Sequence, residues 1–317
     1  MAFTVRSIMG RTHLTAHETS ISADLIAVLV AVAGGEPLVM TIGRGTALPA
    51  GPLEPEHRSL QAGLRAWVER QTHHPVGYVE QLYTFADRDR TEIGTRVISI
   101  SYLGLTRLLP AATADVAWRG WYEYFPWEDR RAGEPKAIAC IASRLKTWVE
   151  SAASAAERRE RHERADMNFG LGTSGWTDEL VLQRYELLWE AGLVPEAPHR
   201  ADNPCQPLLG AAMAHDHRRI LATGISRLRA KIKYRPVVFE LMPERFTLSQ
   251  LQQCAEGVAG QLTHKQNFRR LIEQQQLVEE TGEVTTDTGG RPAKLFRFRE
   301  AVRRERAFAG TKLARAP

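Results

Sequence analysis

The chain has 317 residues, of which 43% are hydrophobic and 25% charged, ordinary values for a globular protein with room for two domains. The longest apolar run, LIAVLVAVA, is too short to span a bilayer, and the first residues lack a signal-peptide pattern, so we expect a cytoplasmic protein with no membrane partner. The formal net charge of +5 arises from residue 261 onward, where twelve Lys/Arg exceed seven Asp/Glu, which indicates either a polyanionic partner or a solvated basic surface.

The three cysteines are Cys140, Cys205 and Cys254. None lies within metal-ligand spacing of another, so the sequence predicts neither a zinc site nor a disulfide framework, and it favours a reducing compartment. We expect no metal and no cofactor.

The first part of the chain predicts a sheet with a helix packed on it. Residues 25–32 and 38–42 have the composition of strands joined by the turn AGGEP, and the segments VGYVEQLYTF and TRVISISYLGL are rich in the Val, Ile and Tyr that strands favour. Between these pairs, Leu60, Leu64 and Trp67 recur at helical spacing. This order predicts an α+β fold with a mixed sheet.

A proline-glycine turn, ALPAGPLEP, leads into that helix, an arrangement suited to holding a phosphate and its metal ion. Such a site needs several carboxylates on one helical face. Only Glu69 stands in the body of the helix, and Arg70 is beside it. The frame of a metal-phosphate site is therefore present without its acids.

Residues 111–207 are predicted to be largely helical. Apolar residues recur at helical spacing in AIACIASRLKTW, before a charged run. A second helix, TDELVLQRYELLWEAGL, is predicted to be capped by Thr177 and to end near Gly192, and the proline-rich VPEAPHRADNPCQP then forms a linker or long loop.

The segment HDHRRILATGISRLRAKIKYRP predicts a further helix, with an apolar stripe from Ile220 to Ile232 and an end at Pro236. Its cations lie mostly off that stripe. Lys231 and Lys233 are therefore candidates for contact with phosphates.

The last segment predicts two helices and a hairpin. FTLSQLQQCAEGVAG begins with a capping box of Thr247 and Gln250 and ends at Gly260. LTHKQNFRRLIEQQQL has Thr263 as its N-cap, and VEETGEVTTDTGGRPAKLFRFR forms two strands around a Gly-Gly tip. The apolar face of the second helix consists of Phe268, Leu271 and Ile272. This order is that of a winged helix-turn-helix.

The polar face of the second helix is the predicted reader of DNA. Gln266 and Arg270 point away from the apolar face and are expected to enter the major groove, while Arg291 and Lys294 of the hairpin reach phosphates or the minor groove. The predicted DNA contacts are Lys265, Gln266, Asn267, Arg269, Arg270, Arg291, Lys294, Lys231 and Lys233. The alternative is an ordinary small α+β domain with a basic face.

Several stretches resemble the Nudix-related transcriptional regulators of bacterial NAD metabolism, in which a Nudix-like domain precedes a C-terminal winged helix. In the tail these stretches are YRPVVFELMPERFTLSQLQ, NFRRLI and GGRPAKLFRF; upstream they are ALPAGP, VEQLYTFADRDR with RVISISYLGL, and HDHRRIL, in the family's order. The resemblance covers most of 22–109 and 212–298. It implies a Nudix-like sensor at 1–136, a helical insertion at 137–207, a basic connecting helix at 208–240 and a winged-helix domain at 241–317. The insertion is expected to be a structural buttress or a dimer surface.

A working Nudix box is a glycine, five residues, a glutamate, seven residues, then Arg-Glu-aliphatic-any-Glu-Glu-any-Gly. Gly51, Arg65 and Trp67 fit the frame, and Glu69 is the glutamate that remains. At the remaining defined positions, where a working box has three glutamates and a final glycine, this chain has His57, Ala66, Arg70 and Thr72. Arg70 places a positive charge at a position where a working box has a metal-binding glutamate, and this charge repels a divalent metal ion. The resemblance therefore implies a domain that is not an enzyme. The alternative source of metal ligands is Glu54, Glu56 and His57.

The resemblance implies a DNA-binding regulator, a repressor of NAD biosynthesis or salvage genes that binds a palindromic operator as a homodimer. Its sensor domain would hold an NAD-related nucleotide such as ADP-ribose or NAD, with Arg70 pairing with the pyrophosphate or else merely solvated. Arg44, Arg96 and Tyr83 complete the predicted ligand-binding set. The alternatives are an ADP-ribose pyrophosphatase with an appended nucleic-acid-binding domain, and a non-sensing scaffold or RNA-binding protein.

Overall fold

A computed structural model describes residues 20–77, 79–87, 95–108, 115–199, 205–234, 240–286 and 292–300. Within these ranges, none of the helices has both the length and the hydrophobicity that a membrane span requires.

A six-stranded mixed sheet forms the centre of the N-terminal domain, called here the sheet domain. β1 (Ser20–Ala33) pairs in parallel with β5 (Thr95–Leu105) and antiparallel with β2 (Glu36–Thr41) and the short β3 (Ala50–Pro52). β4 (Val79–Phe85) extends the sheet beyond β5, and β6 (Ala117–Gly120) extends it beyond β2. The four predicted strands are confirmed; β3 and β6 are too short to have been recognised from pattern.

Helices cover both faces of this sheet. α1 (Leu60–Thr72) packs on the face that carries Leu25 and Leu29. α5 (His217–Tyr234) covers the other face so closely that a Cβ on Gly224 would lie 2.8 Å from the Val28 side chain. Because alternate residues of a strand point to opposite faces, the centre of β1 is buried without interruption. The helix predicted as a connector is therefore a core element of the sheet domain.

The segment that the sequence predicts to be an insertion, called here the insertion, contains α2 (Lys136–Glu150), α3 (Ala155–Phe169) and α4 (Val181–Glu190). α4 packs on the outer side of α5. The predicted helix and its charged run are two helices, because Ser154 caps a new one. The predicted cap at Thr177 is wrong. The carbonyl of Thr177 accepts from the N–H of Leu180 in a turn, and α4 begins only after it.

The expectation that the cysteines form no disulfide is also wrong. Cys140 on α2 and Cys205 form a disulfide, with Cα atoms 6.0 Å apart. They are 65 residues apart in sequence, so only the path of the insertion brings them together. Cys254 is free and buried, and burial raises the pKa of its thiol to about 12.

The C-terminal domain has α6 (Leu248–Ala259), α7 (Lys265–Gln275) and a hairpin of β7 (Val278–Thr285) and β8 (Ala293–Phe298). The capping box of Thr247 with Gln250 is confirmed, and so is the helix end at Gly260, which takes a φ of 73°.

Two details of α7 differ from prediction. Its N-cap is His264, because Thr263 instead donates both its N–H (2.8 Å) and its hydroxyl (2.9 Å) to Glu256 of α6. Leu271 is 47% exposed, so Phe268 and Ile272 alone bury the inner face of the helix.

Candidate functional site

The loop-to-helix frame at the start of α1 is built by tight packing. The indole of Trp67 lies over Gly51, where any Cβ would come within 2.2 Å of the ring. The indole Nε1 donates to the carbonyl of Pro52 at 2.8 Å. The Gln71 carboxamide exchanges two hydrogen bonds with the backbone of Ala50, at 3.1 and 2.8 Å. These contacts dock α1 on β3, which explains why the frame persists.

His57, at the first acidic position of the box, is a structural residue. Its Nδ1 accepts from the backbone N–H of Glu54 at 3.0 Å, and its side chain is 9% exposed. Gly63 lies directly beneath the ring, since a Cβ there would be 2.6 Å from Nδ1. The imidazole therefore organises the turn before α1.

The exposed side of α1 presents a cation, Arg70, at the position where the predicted Nudix box would have an acid. The guanidinium carbon of Arg70 lies 4.4 Å from the centroid of the Trp67 ring, a cation–π arrangement that orients an exposed side chain. Glu69 is exposed beside it. Across the described residues, no group of three or more His, Cys, Asp or Glu could hold a metal ion. This surface therefore presents one oriented guanidinium beside one carboxylate.

The other predicted ligand residues are dispersed. Arg44 is exposed in the turn after β2 and adopts a left-handed φ of 58°. Tyr83 is 59% exposed on β4 and stacks on Phe85, on the α5 side of the sheet and so opposite α1. Arg96 pairs with Ile21 in the sheet, but its side chain is outside the described residues. Within the described part of the chain, no hydrogen bond or ring contact joins Arg44, Arg70 and Tyr83.

A polar group that sequence reasoning missed lies at the start of α5. His217 Nδ1 accepts from the N–H of Leu48 at 2.8 Å, which places the imidazole proton on Nε2. Burial, helped by His215, lowers the pKa of His217 to about 4, so the ring is neutral at pH 7. Burial also raises the pKa of Asp24 on β1, and His215 partly offsets this. The His-Asp-His triplet in the sequence was the signal that could have identified this group.

That polar group adjoins the Arg44 loop. The N–H of Ala214 donates to the carbonyl of Thr46 at 2.7 Å, and His215, like Arg44, has a left-handed φ, here 49°. Left-handed backbone at residues other than glycine is costly and concentrates at binding sites. The arrangement offers a carboxylate acceptor and a neutral imidazole donor at one end of the sheet.

The cations of α5 have partners inside the protein. Lys231 pairs with Glu80 of β4, and Lys233 pairs with Glu179 at 2.8 Å. Two further arginines of the helix, Arg218 and Arg229, are buried. The DNA contacts proposed for Lys231 and Lys233 stay predictions, but most of this helix's charge is compensated by acids of other elements.

The outward face of α7 is different. The five residues of this helix that the sequence predicts to contact DNA are all exposed: Lys265, Gln266, Asn267, Arg269 and Arg270. In the described ranges, Lys265, Arg269 and Arg270 make no ion pair with a carboxylate. On the wing, by contrast, Lys294 pairs with Glu280 at 2.9 Å. Arg291 lies outside the described residues.

The turn between α6 and α7 is held by one acid. Glu256 accepts from Thr263 and also from the Gln252 carboxamide at 2.9 Å. The wing is tied to the helices through Phe246, whose N–H donates to the carbonyl of Phe296 at 3.0 Å and whose carbonyl accepts from the N–H of Phe296 at 2.8 Å. These contacts join α7 and the hairpin to α6 within one domain.

Comparisons with known proteins agree with this architecture. Residues 238–298 match the NrtR DNA-binding winged helix domain. The ADPR responsive transcriptional repressor NtrR of Acinetobacter baylyi is 38% identical over 86 residues, which are 27% of this chain and 34% of that protein. The chain thus matches about a third of the length of this relative.

Two solved structures share the fold over most of the chain. Shewanella oneidensis NrtR complexed with a 27mer DNA has a TM-score of 0.52 and 20% identity, covering 87% of this chain and 93% of that one. A MutT/nudix family protein from Enterococcus faecalis has a TM-score of 0.51 and 16% identity, covering 91% and 90%. The predicted fold class, a Nudix-like mixed sheet with packed helices and a C-terminal winged helix, is confirmed, as is the resemblance to Nudix-related regulators.

Proposed function

We propose that this protein is a transcriptional repressor that binds operator DNA through α7 and responds to an NAD-related nucleotide, ADP-ribose in the first place. The observation that carries the DNA-binding role is the exposed face of α7, where three cations lack carboxylate partners among the described residues. Such a face on the second helix of a helix-turn-helix suits the major groove of a duplex. The A. baylyi relative is named as an ADPR responsive repressor.

The sheet domain is proposed to bind the nucleotide without hydrolysing it. Ala66 and Arg70 stand where a working motif has acids, and Glu69 alone is a weak donor set for a dication. The oriented guanidinium of Arg70 supplies the positive charge that a pyrophosphate needs.

The remaining features of the proposal follow from its function. A helix-turn-helix repressor commonly reads a palindrome as a two-fold dimer, so we propose a homodimer on a palindromic operator. The genes proposed to be controlled are those of NAD biosynthesis or salvage. The cytoplasm, where bacterial operators are found, is the proposed location.

The test starts by selecting an operator from random duplexes and titrating it with and without ADP-ribose, NAD or ADP. ADP-ribose is expected to change operator affinity while no AMP is released with saturating magnesium or manganese. Turnover on the order of 1 per second would identify a hydrolase instead.

A pair of variants locates the response. Arg70→Met is expected to remove the effect of ADP-ribose and to leave DNA binding without effector unchanged. The matched control is Arg159→Met, which removes an exposed arginine of α3 and is expected to retain both properties. A wild-type response in Arg70→Met would contradict the assignment of the anion site.

A further inference from the structure

The insertion, the sheet domain and the winged helix meet at a buried set of four polar side chains, called here the Glu128 cluster. Its members are Glu128, Arg184, Arg229 and Tyr122. Arg184 comes from α4 of the insertion, Arg229 from α5, and the other two from short turns that follow β6. The side chains of Glu128, Arg184 and Arg229 are at most 1% exposed. Burying three charges is costly unless each is fully paired.

Every oxygen and nitrogen atom of the Glu128 carboxylate and the two guanidinia has a hydrogen-bond partner. Glu128 Oε1 accepts from Arg184 Nε at 2.6 Å, and Oε2 accepts from Arg184 Nη2 at 2.9 Å and Arg229 Nη1 at 2.6 Å. The other donors of both guanidinia reach backbone carbonyls or the Tyr122 hydroxyl. Burial acts to raise the pKa of Glu128, but the two guanidinia outweigh it and hold this pKa below its ordinary value. Two of the three hydrogen bonds that the Glu128 carboxylate accepts therefore come from an arginine that only the insertion supplies.

The C-terminal end of α6 docks on this cluster. Arg229 Nε donates to the carbonyl of Val258 at 2.9 Å, and the Tyr122 hydroxyl donates to the carbonyl of Gly257 at 2.7 Å. Carbonyls in the last turn of a helix have no partner within the helix and carry the negative end of its dipole. The buried Arg229 guanidinium donates to one of these carbonyls and places a positive charge at the negative end of the helix dipole.

The contact between the domains is backbone to backbone. A Cβ on Gly257 would lie 2.0 Å from the carbonyl oxygen of Gly35 in the β1–β2 turn, and a Cβ on Gly260 would lie 2.3 Å from the carbonyl oxygen of Glu128. The insertion also reaches the winged helix directly, since the Gln261 carboxamide donates to the Asp178 carboxylate. At this separation α6 has little freedom to change its angle while the cluster is intact.

We propose that the insertion completes the Glu128 cluster and thereby holds the winged helix at one angle to the sheet domain, which makes Arg184 and Asp178 positioning residues for operator binding. The inference rests on the proposed DNA-binding function. A dimer must present two recognition helices at the spacing of two half-sites, whereas binding of one domain to random duplex makes no such demand. Loosening the cluster therefore weakens operator binding selectively.

The first test compares two tyrosines that are two residues apart. Tyr122→Phe removes the hydroxyl that donates to Gly257 of α6; Tyr124→Phe removes one that donates, also at 2.7 Å, to Gly45 inside the sheet domain. Tyr122→Phe is expected to speed amide exchange in α6 and to weaken operator binding without effector by about 2- to 12-fold, the equilibrium effect of one such hydrogen bond. Binding to scrambled duplex is expected to stay at the wild-type value. Tyr124→Phe is expected to leave α6 exchange and operator affinity at wild type.

The second test addresses the insertion itself. Arg184→Met and Gln261→Ala are expected to change α6 exchange and operator affinity in the same direction as Tyr122→Phe. Arg164→Met is the matched control, because Arg164 pairs with Glu190 within the insertion, away from the Glu128 cluster. If Arg184→Met fails to fold, Gln261→Ala still decides, since it removes one hydrogen bond near the surface.

The outcomes are separable. Wild-type α6 exchange in both Tyr122→Phe and Gln261→Ala would overturn the proposal, and so would equal acceleration in the two control variants, which would indicate general destabilisation. A wild-type protein that binds no operator would refute the proposed function, but the exchange measurements would still decide whether the insertion holds α6.

Discussion

Arg270 offers the sharpest test of how this protein reads DNA. It is exposed on α7, opposite the buried Phe268 and Ile272, and has no carboxylate partner in the described part of the chain. Arg270→Ala therefore removes no packing and inserts a good helix former, so the free energy of unfolding should change by less than about 0.5 kcal/mol. Any loss of binding then reports on the DNA contact alone.

The magnitude follows from the contact that this position permits. A guanidinium that is free to meet guanine O6 and N7 contributes about 1–3 kcal/mol of base discrimination, or about 5- to 150-fold in affinity per half-site. Arg270→Ala should lose that factor on the selected operator and little on scrambled duplex. Fluorescence anisotropy with both duplexes at two salt concentrations measures the difference.

Two comparison variants serve as references for the Arg270→Ala measurement. Arg291→Ala should weaken both duplexes similarly and lower the salt slope by roughly one charge, as loss of a phosphate contact does. Arg297→Ala removes a wing cation that is already paired with Glu279 at 2.7 Å, and it should change either affinity less. If Arg270→Ala keeps full operator preference, α7 does not read bases through this residue and the assigned face is wrong.

Three further predictions concern assembly and stability. Light scattering should show a dimer and footprinting a palindrome; a monomer on one asymmetric half-site would contradict the proposed symmetry. Cys140→Ser opens a loop of 65 residues between the paired cysteines, which should lower stability by up to about 4 kcal/mol, and reductant should then shift the melting temperature of the wild type but not of the variant. The pKa of His217 is about 4 in the folded protein against about 6.5 when unfolded, so between these values the unfolded state binds the extra proton and stability falls as pH falls, by up to about 3 kcal/mol. His217→Gln should flatten this dependence in urea titrations; an unchanged slope would show that the ring is not buried as a neutral group.

The features predicted correctly from sequence depend on neighbours along the chain. The capping box of Thr247 and Gln250 and the left-handed Gly260 lie within one helical turn of the ends that they stabilise, so local chemistry sufficed. The strand at residues 25–32 was predicted for the same reason, because a short apolar run in which half of the residues are Ile or Val favours a strand.

The wrong predictions involve side chains whose partner is distant in sequence. Thr263 had the residue type of an N-cap, but Glu256 on the preceding helix takes its hydrogen bonds. Leu271 had helical spacing for the core, but it is 47% exposed, and none of the described elements covers its position on α7. The sequence shows which interactions a residue can make, but the partners available in the folded chain decide which of them form.

The sequence alone determined the α+β class, the order of the four longer strands of the sheet and the winged helix-turn-helix, because each depends on residue type and short-range periodicity. Only the tertiary structure decided that α5 is a core helix, that Cys140 meets Cys205, and that Arg184 and Arg229 share Glu128 beneath the end of α6. These pairings join residues up to 101 positions apart. Their energies depend on burial and geometry, which the chain acquires only on folding.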